Sequence, residues 1–181
     1  TVNRRFAEAA AEVAAEGATV WVQDYQLQLV PQMLRKARPD LKIGFFNHIP
    51  FPPLEIFAQL PWRRDIIAGL LGADLIGFQR PSDTANFLRC VRRFAGHSVR
   101  QQQVHITDEE GNTYISRAEA FPISIDVDQI TELAQREDII ERSKQIRREL
   151  GNPKVILLGV DRLDYTKGIS HRLKAYGELL E

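Results

Sequence analysis

Short apolar runs alternate with amphipathic stretches along most of this sequence. Four runs have the length and composition of buried strands, and they cover residues 18–22, 41–46, 73–78 and 155–160. Between and around them the apolar residues have helical spacing, over residues 7–16, 27–36, 64–71, 81–94, 128–150 and 172–180. Strands that alternate with helices predict right-handed crossovers and a mostly parallel sheet with helices on both faces. The predicted fold class is therefore α/β.

One segment interrupts this alternation. Residues 104–107 and 113–116 alternate apolar and polar side chains, and a turn-forming cluster at residues 108–112 separates them. Such a pattern predicts a β-hairpin. Residues 120–124 would then close the first domain.

The chain is predicted to contain parts of two domains. The first covers residues 1–126. The second, residues 127–181, begins with a charged linker helix and continues with the apolar run 155–160, which is predicted to open a new sheet. Because the chain starts at Thr1 and both ends lie in helical patterns, the sequence is expected to be a piece of a longer chain.

Composition argues against several classes of function. The chain is 44% hydrophobic, enough for a substantial core, and its 24 basic residues balance 24 acidic ones. A formal net charge of zero supplies no broad field for nucleic acid or an anionic membrane, so any anion site must be local. With Cys90 as the one cysteine, no internal disulfide or cysteine metal cluster can form. A buried structural thiol in a cytoplasmic protein is expected.

Several familiar motifs are missing from the sequence. No apolar run approaches the roughly 20 residues that cross a bilayer. His97, His105 and His171 lack the close spacing of metal ligands, and neither a GxxxxGK[ST] phosphate loop nor a GxSxG elbow occurs. Nucleic-acid binding, a membrane anchor, a metal centre and hydrolase triad chemistry are therefore poor explanations of this chain.

Candidate chemistry lies first at the end of the last predicted strand. The loop 159–168 carries Arg162 and Lys167, five residues apart and just before a helix. A diphosphate bound there would gain charge-assisted hydrogen bonds, together with the backbone donors and the dipole of the helix N-terminus. The alternative is a solvated loop in which the two cations pair with Asp161 and Asp164.

Two further candidates follow the first two predicted strands. His48 stands in the stiff loop 47–53, where three prolines prevent regular structure. It could donate to a sugar hydroxyl or to a developing negative charge, or it could bond to a local carbonyl. Asp24 follows the strand 18–22, where a carboxylate either accepts from sugar hydroxyls or caps the next helix, which is its commoner role.

Five blocks of sequence carry a family resemblance. In chain order they are WVQDYQL (21–27), IGFFNHIPFP (43–52), LPWR (60–63), GLLGADLIGF (69–78) and GVDRLDYTKG (159–168). Together they resemble the trehalose-6-phosphate synthases, and the variant DYQLQL (24–29) is similar to the actinobacterial branch of that family. The order and spacing of the blocks are more specific than any one of them.

The resemblance implies a fold and an activity. The fold is a pair of Rossmann-like α/β domains of the GT-B type that face a cleft, with only the start of the second domain in this chain. The activity is the transfer of glucose from a nucleotide sugar, usually UDP-glucose and in some cases ADP-glucose, to glucose 6-phosphate with retention of configuration. On matching positions, Arg162 and Lys167 would hold the donor diphosphate and stabilise the leaving group. His48 would contact the transferring glucose, and Asp24 would bind sugar hydroxyls on the acceptor side. No metal or other cofactor is implied, because the two cations take that role.

The sequence departs from the family pattern at two positions near these residues. Many relatives have leucine where this chain has Asn47 and histidine where it has Gln26, and Asn47 is expected to alter the hydrogen bonding beside His48. Other site residues of the family would precede Thr1 or follow Glu181. The chain alone is therefore expected to be inactive.

Other functions stay open at this level. A glycogen-synthase-like transferase of the GT-B class or a nucleotide-sugar epimerase could share an arginine and a lysine at a strand end. A noncatalytic regulatory module that binds sugar phosphates is a third option, although Asp24, His48, Arg162 and Lys167 are all intact. Self-association of the chain is also left open.

Overall fold

The computed structural model describes residues 1–107, 111 and 113–181. The chain divides into two compact units, Thr1–Ser124 and Ile125–Glu181, which we call the sheet unit and the helical unit. Of the predicted hairpin turn at residues 108–112, only Gly111 lies within the described residues.

The sheet unit follows the predicted alternation of strands and helices. In chain order its elements are α1 (Val2–Val13), β1 (Thr19–Gln23), a 3₁₀ turn (Tyr25–Leu27), α2 (Val30–Ala37), β2 (Lys42–Asn47), α3 (Leu54–Phe57), α4 (Arg63–Leu71), β3 (Leu75–Phe78), α5 (Pro81–Cys90), a π-helical turn (Val91–Ala95), β4 (Ser98–Arg100), β5 (Gln103–Thr107) and β6 (Thr113–Ala120). The short helix α3 and the strand β4 were not predicted.

The strands form one six-stranded sheet in the order β1-β2-β3-β6-β5-β4. The first four strands in that order are parallel, and β6, β5 and β4 are antiparallel. The predicted α/β class is confirmed, and so is the pairing of the two hairpin strands. In a parallel sheet the carboxyl ends of neighbouring strands lie at one edge, which is where ligands bind.

The core lies against one face of this sheet. Along one row of the register, Val22, Phe45, Ile76 and Ala118 are neighbours and all are buried. The helices contribute buried apolar residues to the same cluster, among them Leu34, Leu70 and Phe87. On the opposite face, Trp21 is 68% exposed and Leu75 is 37% exposed. Burial of the first face supplies the main favourable term in folding of this unit.

Helices α2 and α4 meet at backbone distance. A Cβ on Gly72, which follows α4, would lie 2.3 Å from the backbone N of Gln32 in α2. Arg35 of α2 reinforces this contact, since its Nε donates to the Gly72 carbonyl at 3.3 Å and it forms an ion pair with Asp74 at 2.6 Å. The Asp74 carboxylate also accepts from the N–H of Ile43 at 2.7 Å, so the same group fixes the start of β2.

Two expectations from composition can be compared with the structure. Cys90 is buried and free, and burial raises the pKa of its thiol to about 11, as expected for a structural cysteine. Within the described part of the chain, none of the helices combines the length and the apolar character that crossing a bilayer requires.

The helical unit corrects the prediction of one helix over residues 128–150. Two helices form there, α6 (Val127–Gln135) and α7 (Glu137–Glu149), and they meet at Arg136, whose ψ of 137° is extended. The Arg136 guanidinium binds Asp138 at 2.7 Å, and acidic residues in the first turn favour a helix start at Glu137. The apolar spacing continues across Arg136, so the sequence pattern could not show where the first helix ends and the second begins.

The helical unit also corrects the predicted strand at residues 155–160. No strand is assigned at these residues, and Leu158 and Val160 are 86% and 82% exposed. A strand needs a partner, and the other regular elements described in this unit are α6, α7, a 3₁₀ turn (Tyr165–Lys167) and α8 (Ile169–Leu180). The new sheet predicted to open at this run is therefore not formed in the described residues.

Candidate functional site

Asp24 directly follows β1 and has an unusual backbone conformation. Its φ of 69° and ψ of 170° lie in a region that is almost restricted to glycine, at a cost of roughly 1–3 kcal/mol. Its own N–H donates to the Phe46 carbonyl at 2.8 Å. Its Oδ1 accepts from the N–H of Tyr25 at 2.9 Å and from the N–H of His48 at 3.1 Å. Strain held by three hydrogen bonds at a strand end is typical of a functional position.

The Asp24 carboxylate has a structural role, which its hydrogen bonds define. The carboxylate does cap the 3₁₀ turn Tyr25–Leu27, which was the commoner alternative. The same oxygen also ties the end of β1 to the residue after β2. Both of these bonds use Oδ1, so Oδ2 is the oxygen with capacity for a ligand hydroxyl.

His48 is exposed just after β2, and it is held by Gln23, the last residue of β1, and by Asp24, which follows it. Its backbone N–H binds Asp24, and its Nε2 lies 2.6 Å from the side-chain Oε1 of Gln23. Its ring packs against the Phe46 ring with 4.7 Å between the centroids. The ring is therefore bound by a side-chain amide 25 residues away in sequence. The alternative from the sequence, a bond from His48 to a local carbonyl, does not describe this contact.

Asn47 fixes the loop on the other side of His48. The side chain is buried, at 1% exposure, and its Nδ2 donates to the Ile49 carbonyl at 2.6 Å. Its Oδ1 accepts a longer bond of 3.4 Å from the Nε2 of Gln28. Asn47, which was expected to affect the hydrogen bonding beside His48, thus closes the turn around that residue.

A pocket of about 390 Å³ opens beside His48. Its lining combines three apolar residues with four polar ones, namely His48, Pro50, Gln79, Arg80, Asp83, Pro122 and Ile123. Gln79 is oriented, because its Oε1 accepts from the N–H of Ile123 at 2.9 Å and its amide N–H groups are left as donors. Asp83 is 4% exposed, and its Oδ2 has no hydrogen-bond partner among the described residues. A mixed lining of this kind suits a small polar ligand.

The polar residues at the end of β3 were not predicted as site residues from the sequence. Gln79, Arg80 and Asp83 occupy the turn and the first helical residues after that strand. The rule that selected Asp24 and His48, a polar side chain just beyond a buried strand, applies equally to Gln79. The predicted strand 73–78 ended one residue before it, so the signal was present in the sequence.

The other two predicted site residues lie in the loop before α8 of the helical unit. Asp164 caps the 3₁₀ turn there, and its Oδ1 accepts from the N–H and the hydroxyl of Thr166 at 2.9 and 2.8 Å. These bonds, with smaller contributions from the charges of Arg162 and Lys167, hold the pKa of Asp164 below its ordinary value. Gly168 then turns the chain into α8 with a φ of 60°.

Arg172 pairs with Asp161, the second carboxylate of this loop. It forms an ion pair with Asp161 at 2.5 Å and donates to the Lys167 carbonyl at 3.3 Å. Its guanidinium lies over Gly159, where a Cβ would be 2.2 Å from it. Across residues 1–107, 111 and 113–181, the salt bridges include neither Arg162 nor Lys167, and both side chains are exposed. The two cations are thus not paired with Asp161 and Asp164 as the solvated-loop alternative proposed.

The predicted site residues fall into two sets. Asp24 and His48 are brought into direct contact in the sheet unit, and Arg162 and Lys167 share one short loop of the helical unit. No cluster of three or more His, Cys, Asp or Glu side chains suited to a metal ion occurs in the described part of the chain.

The polar groups of Asp24, His48 and Gln79 thus lie beyond the strand ends of a mostly parallel α/β sheet, the position at which proteins of this class bind ligands. The sequence model of Glycosyltransferase family 20 matches residues 1–181, and the chain belongs to that family. The chain is 59% identical over 184 residues to a trehalose-6-phosphate synthase from Mycobacterium sp. strain KMS. The match covers 99% of this chain and 38% of that protein, so the chain spans well under half the length of its curated relative.

Solved structures of this family share the fold. A trehalose-6-phosphate protein from E. coli bound with UDP-2-fluoro glucose matches with a TM-score of 0.76 and 33% identity, over 99% of this chain and 38% of that one. A UDP-forming α,α-trehalose-phosphate synthase from Burkholderia xenovorans, in complex with glucose-6-phosphate, matches with a TM-score of 0.77 and 34% identity, over 99% of this chain and 39% of that one. The Rossmann-like character of the predicted fold is confirmed by these similarities.

Proposed function

We propose that this chain is the central segment of a trehalose-6-phosphate synthase. The enzyme would transfer glucose from a nucleotide sugar to glucose 6-phosphate with retention of configuration, in the cytoplasm. The observation that carries the proposal is the 59% identity to a named synthase over 99% of the chain, together with four candidate residues that are all present and solvent-accessible or partly so.

The donor side of the proposal rests on the loop before α8. Arg162 and Lys167 are exposed cations without an ion-pair partner among the described residues, and the N-terminus of a twelve-residue helix follows them. A diphosphate attracts such groups, because charge-assisted hydrogen bonds and the helix dipole both favour its negative charge. The same contacts would strengthen as the nucleoside diphosphate leaves, which lowers the barrier. This arrangement supplies positive charge without a metal ion.

The acceptor and the transferring sugar are assigned to the sheet unit. His48 lines the pocket of about 390 Å³ and would contact the transferring glucose. Asp24 would use its Oδ2 for hydroxyls on the acceptor side. The E. coli relative holds a fluorinated UDP-glucose and the Burkholderia relative holds glucose-6-phosphate, which supports UDP-glucose as donor and glucose 6-phosphate as acceptor here. ADP-glucose is the second donor to assay.

The proposed domain organisation follows the same logic. Residues 1–126 would belong to the acceptor-side domain, and residues 127–181 would begin the nucleotide-sugar domain. The division of the described chain after Ser124 supports a boundary near this point.

The test uses a chimera in which this chain replaces the matching segment of the Mycobacterium sp. strain KMS synthase. Purified chimera is incubated with glucose 6-phosphate and either UDP-glucose or ADP-glucose, and disaccharide phosphate is measured. We expect steady turnover by the chimera and none by the 181-residue chain alone. A folded chimera that binds the donor but forms no product would instead favour a noncatalytic sugar-phosphate-binding module.

A further inference from the structure

We propose that Gln23 is a positioning residue for His48, because it fixes which imidazole nitrogen carries the proton. The role of His48 in binding the transferring glucose rests on the proposed function, whereas the contact between Gln23 and His48 rests on the geometry of the sheet unit. Gln23 was not among the residues selected from the sequence, and its role depends on a side chain that lies 25 positions further along the chain.

The contact between the two side chains is short and well anchored. Nε2 of His48 lies 2.6 Å from Oε1 of Gln23. Asp24, the residue that follows β1, accepts from the backbone N–H of His48 at 3.1 Å. Two consecutive residues at the end of β1 therefore hold the ring and the backbone of His48 separately. The ring also packs on Phe46, which is the register partner of Gln23 in the sheet.

The chemistry of the amide decides the tautomer. The side-chain oxygen of glutamine accepts hydrogen bonds and cannot donate, so Nε2 of His48 must carry a hydrogen to bind it. In a neutral imidazole the other nitrogen, Nδ1, is then an acceptor. Among the described residues no hydrogen bond involves Nδ1, so this nitrogen is left for a ligand. Gln23 thus determines that His48 accepts a hydrogen bond from a sugar hydroxyl through Nδ1 instead of donating one.

The other charged groups near His48 do not compete for this role. Asp24 is directed to two backbone N–H groups through Oδ1, and Arg80 and Asp83 line the pocket without a bond to the imidazole among the described contacts. Gln23 is therefore the side chain whose removal should change the tautomer. Because Gln23 is exposed, the change should leave the fold intact.

The tautomer can be observed directly by NMR. In the ¹⁵N-histidine-labelled chain, two-bond ¹⁵N–¹H spectra distinguish a protonated, pyrrole-like nitrogen from an unprotonated, pyridine-like one. The His48 signals are those that disappear in His48→Ala. We expect a pyrrole-like Nε2 and a pyridine-like Nδ1 in the native chain and in Gln23→Glu, which keeps an acceptor at this position. Gln23→Leu should shift both signals toward a mixture of tautomers, whereas Gln26→Leu, at an exposed glutamine of the same segment, should not.

Kinetics of the same variants in the chimera connect the contact to turnover. Gln23→Leu should lower kcat about tenfold with little change in KM, and Gln23→Glu should restore most of kcat. A pyridine-like Nε2 in the native chain, or unchanged His48 signals in Gln23→Leu, would overturn the assignment of the tautomer. A tautomer shift with unchanged kcat would overturn the positioning role alone. If the native chimera makes no product while the NMR signature is as expected, the proposed function fails and the Gln23–His48 contact stands.

Discussion

The two units of this chain hold their candidate residues in different ways. In the sheet unit, Asp24 and His48 are joined across neighbouring strands by a hydrogen bond between residues 24 positions apart. In the helical unit, Arg162 and Lys167 stand in a loop whose bonds are local, such as Asp164 with Thr166 and Arg172 with Asp161. Long-range pairing fixes the first site against a buried core. In the second site the two cations are exposed to solvent, and so is the nearby apolar run 155–160.

The difference matters for what each site can do. Hydrogen bonds to Asp24 and Gln23 and the contact with the Phe46 ring leave His48 little freedom, which suits the orientation of sugar hydroxyls. An exposed pair of cations on a loop suits the capture of a flexible, doubly charged group.

The largest contrast should appear in stability. Leu34 is fully buried in the core of the sheet unit, whereas Leu158 is 86% exposed in the helical unit. Leu34→Ala should lower the free energy of unfolding of the chain by about 2–5 kcal/mol, because it removes buried methyl groups and leaves a cavity. Leu158→Ala should change it by less than about 0.5 kcal/mol. Urea unfolding of both variants checks this, and an equal loss in the two would mean that the run at 155–160 is packed in solution.

The strain at Asp24 gives a second contrast, within the sheet unit. Asp24→Gly and Asp24→Ala remove the same carboxylate, but only glycine adopts a φ of 69° and ψ of 170° without strain. The alanine variant should therefore be less stable than the glycine variant by about 1–3 kcal/mol, as measured by urea unfolding. In the chimera, both should lose activity, because both lack the carboxylate. Equal stability of the two variants would show that the backbone relaxes away from this conformation.

The sequence predicted the parts of the fold that depend on local patterns. The apolar runs 41–46 and 73–78 became β2 and β3, and the alternating segments on either side of residues 108–112 paired as predicted. The run 155–160 has the same apolar signal but no strand, because pairing depends on a partner and not on the run itself. Likewise, the break at Arg136 depends on side-chain bonds that apolar periodicity does not encode.

For the candidate site, the positions of residues at strand ends could be predicted from the sequence, but their partners could not. Strand-end position selected Asp24 and His48, and the structure brings them into contact, although the roles assigned to them and to Arg162 and Lys167 stay predictions. The contribution of Gln23 could not be predicted, and the bond of Asn47 could not be specified, because each side chain acts through a partner set by the fold. These partners are the ring of His48 and the carbonyl of Ile49. Asp83 was missed because a buried carboxylate in a first helical turn looks like an ordinary helix start.

The most direct measurement is kcat/KM for UDP-glucose in the chimera with Arg162→Ala or Lys167→Ala. Each variant would remove one proposed charge-assisted contact to the donor diphosphate, worth about 1.5–3 kcal/mol, so each should lower kcat/KM by roughly tenfold or more. Lys174→Ala is the matched control, since Lys174 is an exposed lysine on α8 with only a 3.9 Å ion pair to Glu178. It should leave kcat/KM unchanged, and thermal unfolding should be the same for all three variants. Near-native kcat/KM in both Arg162→Ala and Lys167→Ala would contradict the assignment of this loop to the donor diphosphate.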